Sequence, residues 1–169
     1  MIQKYIQQST SKVIETLEMA VGMLPGLRQG VLTPDILLLA LISQPDSEPY
    51  KIIENLLPDS DEAIGQLSEQ IRKNLQTMTL SQPAQQIVMS QEVEDVFRIA
   101  LGEANNLGDK FIGGGALFIA MFDDSVGKTA SLLRDAGLTR QHARGPLKEI
   151  RHASTLQTPQ ADSTPYVST

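Results

Sequence analysis

The sequence predicts an all-α domain in which a four-helix unit is used twice, a pseudo-twofold arrangement of about eight helices. Three observations lead there. The chain matches itself without a gap over about forty positions when shifted by 80 residues, as in Val93 against Val13. Apolar residues in each half recur at three- and four-residue steps, the spacing of one buried helical stripe. Helix-start signals stand at the heads of these stripes.

The matches fall on apolar positions: Leu17 on Phe97, Ala20 on Ala100, Gly22 on Gly102, Leu27 on Leu107, Leu37 on Leu117, Ala40 on Ala120, and Ile52-Ile53 on Leu132-Leu133. The polar positions between them mostly differ. A duplicated fold drifts in this way, because buried sites restrict volume and polarity while exposed ones do not. The period is longer than that of a solenoid repeat, so two lobes are expected rather than an array.

The first helix of each unit carries Val13, Ile14, Leu17, Ala20, Val21 and Leu24, and Val93, Val96, Phe97, Ala100, Leu101 and Ala104. Thr33-Pro34-Asp35 then offers a capping hydroxyl, a proline for the first helical position and a first-turn carboxylate. The run Ile36 to Ile42 behind it is apolar on all sides and must be enclosed, which makes it the centre of lobe one. In the second half Gly113-Gly114-Gly115 precedes Ala116 to Phe122. A third helix starts near Pro49 and carries Ile52, Ile53, Leu56 and Leu57; its counterpart carries Ala130, Leu132, Leu133 and Ala136 and ends at Gly137. The fourth starts at Asp59 with Glu62 in a capping-box arrangement and buries Ile64, Leu67 and Ile71, while Thr139 caps its counterpart over Leu147 and Ile150.

One folded domain therefore spans 1–152, with repeat one at about 10–76, a connector at about 77–89 and repeat two at about 90–152. From 153 to 169 the chain is Ser, Thr, Gln and Pro with almost no apolar periodicity, and a flexible tail or interdomain linker is expected.

Composition limits the function. A net charge of -6 with no dense Lys/Arg stripe argues against nucleic acid as a partner. The absence of cysteine excludes disulfides, thiolate metal sites and a thiol nucleophile, and fits the cytoplasm. No secretory signal is expected at Met1 to Gln8, and no apolar run approaches the roughly 20 residues that span a bilayer.

Sharper chemistries find little support. Val126-Gly127-Lys128-Thr129 resembles the end of a phosphate-binding loop, but Phe122 stands where that loop needs glycine, so an ordinary helix start is expected. Gly113 to Gly115 reads as a tight interhelical turn, with an anion cradle or a close ligand approach as the alternatives. His142 and His152 lack partners at metal-ligand spacing, and Asp123-Asp124 and Glu92-Glu94-Asp95 sit at predicted helix starts. No catalytic set, cofactor or metal is expected.

The stretches Leu32-Thr33-Pro34-Asp35-Ile36-Leu37-Leu38-Leu39-Ala40-Leu41 and Leu107-Gly108-Asp109-Lys110-Phe111-Ile112, the latter continuing into Leu117-Phe118-Ile119-Ala120, resemble signature segments of the Clp N-terminal (Clp repeat) domain. The resemblance covers roughly 5–152, and its second repeat is closest to ClpB-type AAA+ disaggregases. Where the family commonly has Glu-His before the apolar run, this chain has Asp35-Ile36 and Gly115-Ala116. The resemblance implies a non-catalytic domain of a Clp-type ATP-dependent chaperone that receives unfolded clients or adaptor proteins, the motor lying outside this chain. Matched residue by residue, it implies a protein-binding groove drawing on Thr10, Phe97, Ile99, Asp109 and Ala116, of which Phe97 and Ala116 also fall on the buried pattern. A free-standing adaptor or regulator of the same fold is the alternative, followed by a small helical ligand-binding protein or enzyme.

Overall fold

A computed structural model describes residues 2–152 and 154–162. The described residues form α1 (Gln3–Ile6), α2 (Ser11–Met23), β1 (Val31–Leu32), α3 (Pro34–Ile42), α4 (Glu48–Leu56), α5 (Ser60–Gln76), β2 (Val88–Met89), α6 (Gln91–Asn106), α7 (Gly114–Ala120), a 3-10 turn (Asp124–Val126), α8 (Lys128–Asp135) and α9 (Arg140–Ile150). The duplication is carried by the backbone as well as by the residues. Helices α2, α3, α4 and α5 begin at 11, 34, 48 and 60, and α6, α7, α8 and α9 begin 80 residues later in every case.

The core is built on the two all-apolar helices. Every residue from Ile36 to Ile42 is at most 1% exposed, and Ala116 to Met121 have no exposure. Each large side chain removed from water in this way contributes about 1.5–3 kcal/mol. Helix α3 is enclosed by α2, α4 and α5 of its own repeat and by α6 and α8 of the other, while α7 packs on α6, α9 and α4. The repeats thus share one continuous core.

Several helix starts follow the sequence reading. Pro34 opens α3, Thr139 accepts from the His142 amide, and Gly137 takes φ 87° just past α8. Thr10 and Ser90 cap α2 and α6 in the same way, each accepting the amide three residues on. Two expected caps are absent. Thr33 sits at the head of α3 with its hydroxyl buried and unpartnered. Asp59 adopts φ -106°, ψ 55°, away from the extended geometry that aims a capping side chain, and accepts no capping hydrogen bond.

Two pairs of parallel backbone contacts, unannounced by the sequence pattern, join the repeats. In the first, β1 pairs with β2, Leu32 opposite Met89. In the second, Ile112 bridges to Ser9, which is the same pair shifted by 80 residues. Each contact ties the lead-in of one repeat's first helix to the loop before the second helix of the other. The connector therefore ends in a strand, and the 126–129 stretch is the ordinary helix start expected of it, a 3-10 turn leading through Gly127 into α8.

Candidate protein-binding surface

The joint between the repeats is organised by polar groups that cross it. Glu48, in the first turn of α4, accepts a hydrogen bond from the Gly115 amide at the start of α7 (3.0 Å). Reciprocally, Thr129 in the first turn of α8 donates to Asp35 at the start of α3. Burial pushes the Asp35 carboxyl up, against the Thr129 hydrogen bond and the nearby Lys128 charge. At Gly115 a Cβ would lie 2.5 Å from Leu147 Cδ1 and 3.1 Å from Glu48 Oε1, so any side chain there requires the buried Leu147 to move. The glycine turn is thus a close packing of helices, with a buried carboxylate already at its amide.

Glu48 also anchors a buried ion cluster. Arg151, at the end of α9 and 2% exposed, donates Nε to Glu48 Oε2 (2.7 Å) and Nη2 to Glu48 Oε1 (3.1 Å), and pairs through Nη1 with Asp109. Burial works against the Arg151 charge, but the hydrogen bonds and charges of Glu48 and Asp109 outweigh it and hold the guanidinium above its ordinary value. The planar fork suits two carboxylates at once, which a lysine could not match.

On this base lies a shelf of backbone groups. The Gln8–Ser11 lead-in and the 109–112 loop lie side by side, with Thr10 N–H donating to Ile112 O and Ile112 N–H to Gln8 O. Residues 154–162, expected to lie free, run across this shelf. Lys110 and Phe111 both donate their amides to Leu156 O (2.8 and 3.1 Å), and Asp109 accepts the Leu156 amide (2.9 Å). Further along, Ser11 donates its amide to Pro159 O (2.7 Å) and the Thr10 hydroxyl donates to Asp162 (2.8 Å). The Leu156 side chain is 2% exposed and fills the space over Gly113, where a Cβ would meet it at 2.4 Å. One leucine and directed backbone bonds hold this stretch, for which composition implied a flexible tail or interdomain linker. Residues 153 and 163–169 of the expected tail lie outside the described residues.

The sequence profile of the Clp repeat (R) N-terminal domain family matches residues 8–136. The chain belongs to the Clp repeat N-terminal domain family. Its fold matches the Hsp104 N-terminal domain from Candida albicans with a TM-score of 0.70, at 18% identity, over 92% of this chain and 99% of that one. It also matches a ClpV N-domain solved in complex with a VipB peptide (TM-score 0.69, 15% identity, 91% and 93% of the two chains). The N-domain of ClpV from Vibrio cholerae matches with a TM-score of 0.65 at 16% identity, over 91% of each chain.

Within this Clp repeat domain the five groove residues drawn from the resemblance are distributed unequally. Phe97 and Ala116 have no exposure and belong to the core, and Ile99 is half-buried on α6 against it. Thr10 and Asp109 are brought together, on the shelf, where residues 154–162 engage both. Glu48, Arg151 and Leu156 were not anticipated. Leu156 had a visible signal, as the one large apolar residue between 153 and 162. Among the described residues, no group of three or more His, Asp or Glu can hold a metal ion, and no helix is long and apolar enough to cross a membrane.

Proposed function

We propose that this domain binds extended polypeptide, an unfolded client or a segment of an adaptor, on behalf of a Clp-type ATPase in the cytoplasm. The observation that carries the reading is the shelf itself. It presents the amides of Ser11, Lys110 and Phe111 and the carboxylate of Asp109 to a strand of chain, with an apolar seat over Gly113. Main-chain hydrogen bonds of this kind bind without regard to sequence, and a single side-chain seat adds selectivity. A receiver that hands its client to a motor needs both properties and only modest affinity. The ClpV N-domain solved with a VipB peptide supports peptide recognition by this fold.

The test is titration of fluorescein-labelled α-casein, a natively unfolded chain, followed by anisotropy. Saturable binding with a Kd of order 1–100 μM is expected. No binding by the protein, either as it stands or with residues 154–162 displaced as described below, overturns the reading.

A further inference from the structure

We propose that residues 154–162 are a releasable strap that occupies the polypeptide shelf as a pseudo-ligand, so that client binding and strap docking exclude one another. The inference rests on the functional reading above and adds a gate to it.

The strap satisfies the shelf in the manner of a bound peptide. It supplies one carbonyl to two adjacent amides, one amide to Asp109, a second carbonyl to Ser11, and a leucine to the seat over Gly113. Thr10 and Asp109, the two polar residues matched onto the groove, spend hydrogen bonds on it. An extended client cannot reach these groups while the strap holds them.

The internal repeat shows that the closure can be looser without loss of the helices. After α5, as after α9, the chain returns over the loop that precedes its own repeat's second helix. Arg28 and Gly108 are equivalent under the 80-residue shift, both take positive φ (56° and 78°), and the carbonyl of each accepts a hydrogen bond from the returning segment. Arg28 O accepts from the Leu80 amide and Gly108 O from the Gln157 side chain. The outcomes differ. Leu80 is 37% exposed beside a cavity of about 210 Å³, whereas Leu156 is 2% exposed with its seat filled. In lobe one the returning segment also lies on the loop, where a Cβ at Gly30 would meet Leu80 Cδ1 and Ala84 Cβ at 3.1 Å, but its leucine stays exposed, so a lobe keeps its helices without a sealed leucine seat.

The strap is tethered, and its local concentration is of order millimolar, which is enough to hold off a weakly binding client without a tight contact. A client gains access in proportion to the fraction of molecules with the strap released, because apparent affinity scales with the competent population.

The experiment uses the full chain and its Leu156→Ala variant, with labelled α-casein and a labelled nine-residue peptide of the sequence 154–162 as probes. The variant is expected to bind both probes about tenfold or more tightly than the unaltered chain, and the peptide and casein should compete. Amide exchange at Ser11, Lys110 and Phe111 should accelerate while α3 and α7 stay protected. Equal casein binding by both proteins, with exchange accelerated as expected, overturns the gate and leaves the functional reading intact. Peptide binding that casein fails to displace also overturns the gate. Casein binding by neither protein removes the functional reading itself. If Leu156→Ala melts the domain, Asp162→Lys loosens only the far end of the strap and should still raise casein affinity several-fold; no gain there counts against the gate.

Discussion

Replacing Arg151 by methionine tests what the buried ion cluster contributes. Glu48 Oε1 also accepts from Gly115 and Asp109 Oδ1 from Leu156, and among the described residues the Arg151 guanidinium is the cation paired with both carboxylates. Its removal leaves two buried carboxylates uncompensated, a change that costs about 3–5 kcal/mol. For a domain of this size that corresponds to a fall in Tm of about 6–20 °C. The triple variant Glu48→Gln, Asp109→Asn, Arg151→Met keeps both carbonyl acceptors, for the Gly115 and Leu156 amides, but removes the charges. It should recover most of the loss, because the penalty belongs to unpaired charge and not to a missing contact. Urea unfolding at neutral pH, with the slope of the transition checked for constancy, gives both numbers. A single-variant cost below about 1 kcal/mol, or a triple variant no more stable than the single, refutes the reasoning.

Phe97→Asp places an unpaired carboxylate where there is no exposure, and should cost more than about 4 kcal/mol and unfold the domain, while Ile99→Asp, half-buried, should leave it folded; circular dichroism separates the two outcomes. Strap docking should weaken as pH rises through about 6. Burial lifts the Asp162 carboxyl to about 6, with the Glu48 charge adding to it and the Thr10 hydrogen bond and Lys12 opposing. The docked strap therefore holds a proton that the free strap has released above about pH 4, and stability is highest below that value and declines up to about 6. A loss of order 1 kcal/mol in the exchange protection of the Ser11 amide between pH 5 and 7 is expected, absent in Asp162→Asn.

The duplication was legible because volume and polarity are constrained at buried positions, and those positions define both helical stripes and the match between halves. Helix starts with proline or a capping hydroxyl in extended geometry, such as Pro34 and Thr139, were legible for the same local reason. What failed was what depends on partners far along the chain. Asp35 reads as a first-turn carboxylate favouring the helix dipole, yet its distinguishing contact is Thr129 in the other repeat. Asp109 and Arg151 lie 42 residues apart, and no spacing rule joins them. The backbone shelf left no trace in composition, since amide donors belong to every residue type except proline. Phe97 and Ala116 show the converse limit: a family match transfers an address, while the core pattern visible in this same sequence already placed both inside.

The two halves also part company in a way that bears on where partners can bind. Helix α4 packs along α9, with Glu48 and Arg151 joined at that contact. The pair equivalent to these under the 80-residue shift is α8 and α5, and it stands apart around a cleft of about 610 Å³, with Gln66, Gln70 and Asn74 facing Lys128, Ser131 and Asp135. The position equivalent to Arg151 is Ile71, which is buried and brings no charge to the junction. A duplicated fold that kept both junctions identical would present each surface twice. Placing the ion cluster and strap at one of the two equivalent junctions concentrates ordered backbone donors there and leaves the other as an open cleft of mixed polar and apolar lining. The shelf combines directed amides with an apolar seat, and the proposed recognition of extended chain rests on that combination.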